Sequence, residues 1–290
     1  MGFDSVLITG GTGFFSNAFV RRLLSWGKPP RRIVILSRGE YRQFMMRKEL
    51  ESLDKTSSMR FLIGDVRDRE RLRRAMEDVE VVIHAAALKR IEVGHYNPVE
   101  LVKTNVDGTV NVVEAAKDAG VKKVVYLSSD KAFQPVSPYG LSKAMGEHIV
   151  LAANNIRGSR GPKYACCRYG NVAGSTGSVI PVWRDILMTN DTVRVTDPEV
   201  TRFWMWADEA VDLVLDTLEA MPQSKPVIPI LPAYRLGDLA EAMGAKMEIV
   251  GLPDYEKLDE SMDFGNSSRE ARRLSVDELR IMLDKLPATG

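Results

Sequence analysis

SVLITGGTGFFSNAFVRRLLSW, residues 5–26, decides how the rest of the chain is read. Ser5 to Thr9 is a short apolar run that predicts a buried strand, and Asn17 to Trp26 has the periodicity of a helix. Between them lie Gly10, Gly11 and Gly13. Glycines at a strand-to-helix turn let the backbone approach a pyrophosphate, and the helix N-terminus offers free N–H groups and a favourable dipole. A glycine cluster elsewhere would mean only a turn. In this setting it predicts a dinucleotide site over Gly10, Thr12, Gly13, Phe14 and Phe15.

The alternation continues outward. Arg32 to Leu36 predicts a second strand that ends in Ser37 and Arg38 instead of an acid. An acid there would bind a ribose diol and repel a 2′-phosphate, whereas Arg38 would pair with that phosphate, so NADP is expected over NAD. Arg60 to Ile63 is a third strand, followed by Asp65 and Val66, where Asp65 either meets the adenine amino group or caps the next helix. Val79 to Ile83 is a fourth, and the small Ala85, Ala86 and Ala87 after His84 would let a cofactor lie against the sheet edge. Lys89 and Arg90 follow on a loop. One long helix is expected from Pro98 to Ala119, stopped by Gly120, and a fifth strand from Val121 to Leu127. A sixth strand is expected from Lys163 to Arg168 and a later helix from Ala207 to Met221. This order predicts an α/β fold with a doubly wound parallel sheet. Residues 1–170 with about 205–231 would form the dinucleotide-binding domain, and 171–204 with 232–290 a small, partly irregular substrate-binding part.

The fifth strand runs into LSSDKAFQPVSPYGLSK, residues 127–143. Ser137 is a good N-cap and Pro138 suits the first helical position. Tyr139 and Lys143, four apart, then share a helix face. A hydroxyl (Ser129), a carboxyl (Asp130), an ammonium (Lys131) and a phenol thus converge where a strand ends, the edge at which open α/β sheets bind ligands. A Tyr and Lys at this spacing occur by chance on many helices, and Asp130-Lys131 alone would read as a solvated turn. The glycine turn at the same sheet edge gives both a context.

Composition narrows the rest. The chain has 290 residues, 44% apolar and 27% charged, with a formal net charge of +1. That is an ordinary globule, and its charge argues against a polyanion such as nucleic acid as the main partner. No apolar run approaches the ~20 residues of a membrane span, so no membrane is expected. Met1 to Ser5 leads directly into a strand, so no export signal is expected. Cys166 and Cys167 are neighbours in a strand and would point to opposite faces, as free buried thiols in a reducing, cytoplasmic setting. Three histidines without ligand spacing predict no metal. The terminal LPATG reads as incidental, since no hydrophobic tail follows it.

Taken together, TGGTGFF (9–15), GDVRD (64–68), HAAALK (84–89), Thr104-Asn105, SSDKA (128–132), YGLSK (139–143), RYGNV (168–172), TRFW (201–204) and EKLDE (256–260) resemble the extended short-chain dehydrogenase/reductase superfamily. Within it they resemble the soluble, C5-inverting 4,6-dehydratases that act on UDP-N-acetylglucosamine, over about residues 5 to 262. The resemblance implies NADP held by the glycine turn, Ser37, Arg38, Asp65, Val66, Ala85, Ala86, Ala87, Lys89, Asn105, Tyr139 and Lys143. It implies a nucleotide sugar bound by Lys89, Asn171, Arg202, Lys257 and Glu260. Tyr139, supported by Ser129 and Lys143, would take the C4 hydroxyl proton; Lys131 would take the C5 proton; Asp130 would protonate the departing C6 hydroxyl. The helices Pro98–Ala119 and Pro138–Asn155 would pair into a homo-oligomer. Membrane-attached, retaining relatives have Met where Tyr139 stands.

Two departures stand out. The family usually continues GGTG with Ser-Phe-Gly, where this chain has Phe14-Phe15-Ser16. The family's Arg before EKL, which would grip a diphosphate, is replaced by Pro253 with Asp254 beside it. Arg202 or another basic residue would have to compensate, or the nucleotide portion of the substrate differs. Two alternatives are a 4-epimerase or ketoreductase, which needs Tyr139 and Lys143 without Asp130-Lys131, and a non-catalytic NADP-binding protein.

Overall fold

The computed structural model describes residues 2–287, so the last three residues of LPATG lie outside the described residues. Six strands form one sheet: β1 (Ser5–Thr9), β2 (Arg32–Ser37), β3 (Met59–Ile63), β4 (Val81–His84), β5 (Lys123–Leu127) and β6 (Lys163–Cys167). Their order is β3-β2-β1-β4-β5-β6 and every pairing is parallel. β1, β4 and β5 are buried on both faces, which is why they read as nearly unbroken Val, Ile and Leu. The order reverses between β1 and β4, and the carboxyl ends there open the crevice that such sheets use for ligands.

The connecting helices are α1 (Phe14–Leu24), α2 (Glu40–Leu50), α3 (Arg69–Ala75), α4 (Ile91–Tyr96), α5 (Pro98–Val102), α6 (Gly108–Asp118) and α7 (Pro138–Ile156). α8 (Val179–Leu187) belongs to the second half of the chain, and α9 (Ala207–Ala220) returns to the sheet. Phe15, Phe19, Val211 and Val214, from α1 and α9, fill the core on one sheet face. Leu72, Val112, Ala116 and Val150, from α3, α6 and α7, fill the other.

The remaining elements are β7 (Thr192–Val195), β8 (Thr201–Phe203), β9 (Ala233–Arg235), α10 (Leu236–Ala242), β10 (Lys246–Ile249), β11 (Ser261–Asp263), β12 (Asn266–Ser267) and α11 (Val276–Asp284). They pair in twos, β7 with β10, β8 with β9 and β11 with β12. Trp183, Trp204, Tyr234, Leu239 and Leu279 make a separate core there. The Trp204 ring meets Trp206 and Tyr234 edge-on at 5.5 and 5.8 Å.

Both outer strands of the large sheet are covered along part of their length. Val227 donates its N–H to Cys166 O at 2.9 Å and accepts from Arg168 N at 2.8 Å beside β6. At β3, the Arg71 Nε donates to Ile63 O at 2.8 Å.

Several boundaries differ from the expectation. The expected helix Pro98–Ala119 is α5 and α6 joined by a turn of π-helix over Lys103–Asp107. α1 begins three residues earlier than expected, at Phe14, because the glycine turn leads straight into it. α8 was not anticipated: its VIPVW start carries β-branched residues and a proline, yet Pro181 lies within the first turn, where no intrahelical N–H is needed.

Candidate active site

The glycine turn is tight and leaves no room for a side chain at Gly10. Gly10 has φ +63°, and a Cβ there would lie 2.8 Å from Ala86 Cα. Gly13 caps α1 without a side-chain bond, and no acid occupies the first turn, so the helix end offers N–H groups to an anion. Phe15 is buried and packs on Phe19 with ring centroids 5.6 Å apart. Ser16, where the family has glycine, is buried and donates its hydroxyl to Gly10 O at 3.0 Å. The departure is thus absorbed as an internal brace of the turn. Phe14 is half-buried against the core of that sheet face.

At the end of β2, Ser37 accepts from Gln43 Nε2 at 3.0 Å, while the Arg38 side chain is 59% exposed and stands 4.0 Å from Asp65. Asp65 is bound mainly by Arg67, at 2.7 Å. Partial burial would raise its carboxyl, but the Arg67 hydrogen bonds outweigh that and hold it below the ordinary value. The Val66 side chain is buried in the core, so only its backbone is left to meet a ligand. Ala85 to Ala87 are half-buried at the rim, and Lys89 is exposed.

A buried chain of hydrogen bonds runs behind this rim. Ala86 N donates to Thr9 Oγ1 (3.2 Å), which lies 2.7 Å from His84 Nδ1. His84 Nε2 is 3.1 Å from Thr109 Oγ1, which donates to Asn105 O at 2.6 Å. With both hydroxyl directions fixed, His84 is a neutral imidazole protonated on Nε2, and burial lowers its pKa to about 3. Asn105 sits on the π turn. Its side chain receives Leu88 N at 2.8 Å and donates to Leu88 O and Ser142 Oγ, both at 2.9 Å. Ser142 donates in turn to Tyr139 O at 2.7 Å. Asn105 therefore does not present a free side chain to a cofactor, as the sequence reading expected; it holds the rim against α7.

The stretch 127–143 folds as its residues direct. After β5, Ser129 caps a single 3-10 turn, Asp130–Ala132. Ser137 caps α7 by accepting Gly140 N at 3.1 Å. Ser129, Asp130, Lys131, Tyr139 and Lys143 are brought to one place, with Asp130, Tyr139 and Lys143 buried. Ser129 Oγ donates to Asp130 Oδ1 at 2.8 Å, and Lys131 Nζ lies 3.2 Å from the same oxygen. Asp130 Oδ2 and Asn171 Oδ1 are buried without a hydrogen-bond partner among the described residues, so both are unsatisfied acceptors. Lys143 Nζ donates to Leu127 O at 2.5 Å and stands over the Tyr126 ring at 4.1 Å. Burial lowers Lys143 to about 8. Burial raises the Tyr139 phenol above its ordinary value, although the Lys131 ammonium and Ser129 hydroxyl pull it down. The chain's own charges therefore leave the phenol above its ordinary value.

The second part of the chain closes the site from the other side. Arg202 is buried, and its terminal nitrogens are taken by Thr201 O (2.7 Å), Leu258 O (3.2 Å), Glu256 (2.6 Å) and Lys257 O (3.0 Å). It cannot stand in for the missing diphosphate arginine, as the sequence reading allowed; it straps residues 256–258 to β8. Glu260, expected at the substrate, is also buried, with one oxygen 3.4 Å from Lys131 and the other 2.9 Å from Lys257. Lys257 further donates to Phe133 O at 2.8 Å. Sequence spacing gave no sign that Glu260 reaches Lys131.

Residues 6–278 match the family described as "Polysaccharide biosynthesis protein". The chain belongs to that family. The polysaccharide biosynthesis fold is shared with Pen from Bacillus thuringiensis, a solved structure 32% identical with a TM-score of 0.90, covering 98% of both chains. A Campylobacter jejuni protein named UDP-N-acetylglucosamine 4,6-dehydratase (inverting) is 42% identical over 261 residues, 89% of this chain and 77% of that protein. A Rickettsia rickettsii protein named UDP-glucose 4-epimerase is 38% identical over 288 residues, 97% of this chain and 83% of that protein. No described helix is long and apolar enough to cross a membrane, and no described cluster of His, Cys, Asp and Glu could hold a metal ion.

Proposed function

We propose that this protein is an NADP-dependent 4,6-dehydratase of a nucleotide sugar, with UDP-N-acetylglucosamine as substrate. The observation that carries the reading is the Asp130–Lys131 pair, acid and amine 3.2 Å apart at the end of β5 and beside Tyr139. An epimerase or ketoreductase has no use for such a pair. Gly10, Thr12, Gly13 and the start of α1 would hold the pyrophosphate, Arg38 a 2′-phosphate, and Lys143 and Tyr139 would lie at the nicotinamide end. The bound dinucleotide supplies a hydride acceptor for C4 that later returns the hydride to C6, and a positive ring beside Tyr139.

Tyr139, as phenolate, accepts the C4 hydroxyl proton while Ser129 hydrogen-bonds that oxygen. The resulting C4 ketone acidifies C5–H. Lys131 as free amine takes the C5 proton, and Asp130 as carboxylic acid gives its proton to the C6 oxygen. The C6–O bond breaks, C5=C6 forms and water leaves. Ammonium and carboxylate hold the same number of protons as amine and acid, so passing one proton from Lys131 to Asp130 readies the pair. Without a hydrogen-bond partner of its own, Asp130 Oδ2 can carry that proton.

The cofactor preference rests on Arg38 and the absence of an acid at the end of β2. Tyr96, Val99, Val102, Leu141 and Met145 expose apolar side chains along α4, α5 and α7. We place a second copy of the chain on that face.

The test is to incubate the protein with UDP-N-acetylglucosamine and read the product by NMR and mass. Loss of one water with a C6 methyl group supports the reading; a C4 epimer of unchanged mass overturns it. Titration with NADP and NAD decides the cofactor, and tighter NAD binding removes Arg38 from the argument.

A further inference from the structure

We propose that Glu260 is a positioning residue that controls the charge on Lys131, with Lys257 as its counterweight. This rests on the dehydratase reading, in which Lys131 must become a free amine. Glu260 lies far from Lys131 in sequence, yet its side chain is 3% exposed and holds two ammonium groups, Lys131 at 3.4 Å and Lys257 at 2.9 Å. Its backbone is fixed as well: Glu260 N donates to Ser268 Oγ at 2.9 Å and Ser268 N donates to Glu260 O at 2.7 Å. Ser268 Oγ is also 2.6 Å from Thr201 Oγ1, so the backbone that carries the carboxylate is tied to β8.

The groups facing Lys131 come from every element packed on it: Asp130 from its own turn, Glu260 ahead of β11, Arg202 from β8, Tyr139 from α7 and Tyr234 from β9. Burial favours the free amine, but Asp130 and Glu260 together overcome it and keep Lys131 charged, with Arg202 opposing them. Asp130 takes up a proton before the elimination, so it gives up its charge in the working state, and it then donates that proton to the C6 oxygen. Glu260 is not. It is the carboxylate that resists deprotonation of Lys131 throughout, and the share of its charge taken by Lys257 sets how strongly. Lys257 is tied to Phe133 O, next to the catalytic turn. Any ligand group that draws Lys257 away therefore tightens the hold of Glu260 on Lys131, and any that presses Lys257 closer relaxes it. The structure thus builds a charge balance across the crevice, one arm on the β5 turn and one on the 256–260 segment.

The test is trace acetylation of the ligand-free protein at pH 8 with substoichiometric acetic anhydride, read peptide by peptide by mass spectrometry and normalised to exposed Lys28. Labelling follows the neutral fraction of each amine, and the Lys131 side chain is 17% exposed and so reachable. An opposite charge at this distance shifts a pKa by roughly 1–3 units. Glu260→Gln should therefore raise Lys131 labelling roughly 10-fold or more. Lys257→Met, which leaves Glu260 to Lys131 alone, should lower it. Unchanged Lys131 labelling in Glu260→Gln overturns the proposal. So does a rise in both variants, which would mean loosened packing and no charge effect. The measurement uses neither substrate nor cofactor, so its failure would leave the dehydratase reading intact, and a failed product assay would not decide it.

Discussion

Lys131 and Tyr139 stand side by side, yet the proposed chemistry asks them to act at different steps, and single substitutions can separate them. Lys131→Ala leaves Ser129, Tyr139 and Lys143 in place, so C4 oxidation should proceed and elimination should stall. Rapid mixing should then show a burst of reduced cofactor near ~340 nm without dehydrated product. Tyr139→Phe should suppress the burst itself, on the order of 10²–10⁴-fold. Normal product from Lys131→Ala would sink the assigned role. A further test at this scale concerns Gly10. Gly10→Ala forces a side chain into a φ of +63° and against the Ala86 backbone. It should cost about 1–3 kcal/mol of stability and abolish cofactor binding, measurable by urea unfolding and cofactor titration; an Ala variant that still binds tightly would show the turn to be more pliant than its contacts imply.

At the scale of elements, the π turn over Lys103–Asp107 and the imidazole of His84 belong to one device. The turn carries Asn105 into contact with both Leu88 and Ser142, and His84 joins Thr109 on α6 to Thr9 at the end of β1. Since burial lowers His84 to about 3 while an unfolded histidine titrates near ~6.5, the unfolded chain binds a proton the native one refuses. Stability is thus fully present above ~6.5 and is lost as pH falls toward 3. Between pH 7 and 5 this amounts to about 2 kcal/mol. Urea denaturation of the protein and of His84→Gln at both pH values checks it: the variant should lose about 2 kcal/mol less, and equal losses would contradict it.

Legibility divides along the same line. β1, the glycine turn, β5 and the start of α7 were readable because strand burial, the Gly-rich turn and the Ser137-Pro138 cap are local instructions. The π turn was not, since it differs from an ordinary helix by one residue of slip that Val99, Val102 and Val106 do not reveal. Nor were the true partners of Arg202 and Glu260, whose roles depend on which distant segments the fold lays beside them. The resemblance placed both against substrate; in the structure both are buried and ion-paired within the chain.

For the whole molecule, the exposed apolar face on α4, α5 and α7 is the proposed contact between two copies. Val99 is 62% and Leu141 58% exposed. Sedimentation should give at least a dimer at micromolar concentration. Leu141→Glu with Met145→Glu, which places two carboxylates at the contact, should give a monomer with unchanged circular dichroism; a dimer that survives both would move the interface elsewhere. The covered outer strands matter here in a different way. A bare strand edge templates the growth of a sheet from one molecule to the next, the first step toward fibres. With Val227 laid along β6 and Arg71 holding the last carbonyl of β3, neither margin offers a full row of open groups. Even in a crowded preparation the folded chain is therefore steered away from strand-to-strand polymerisation.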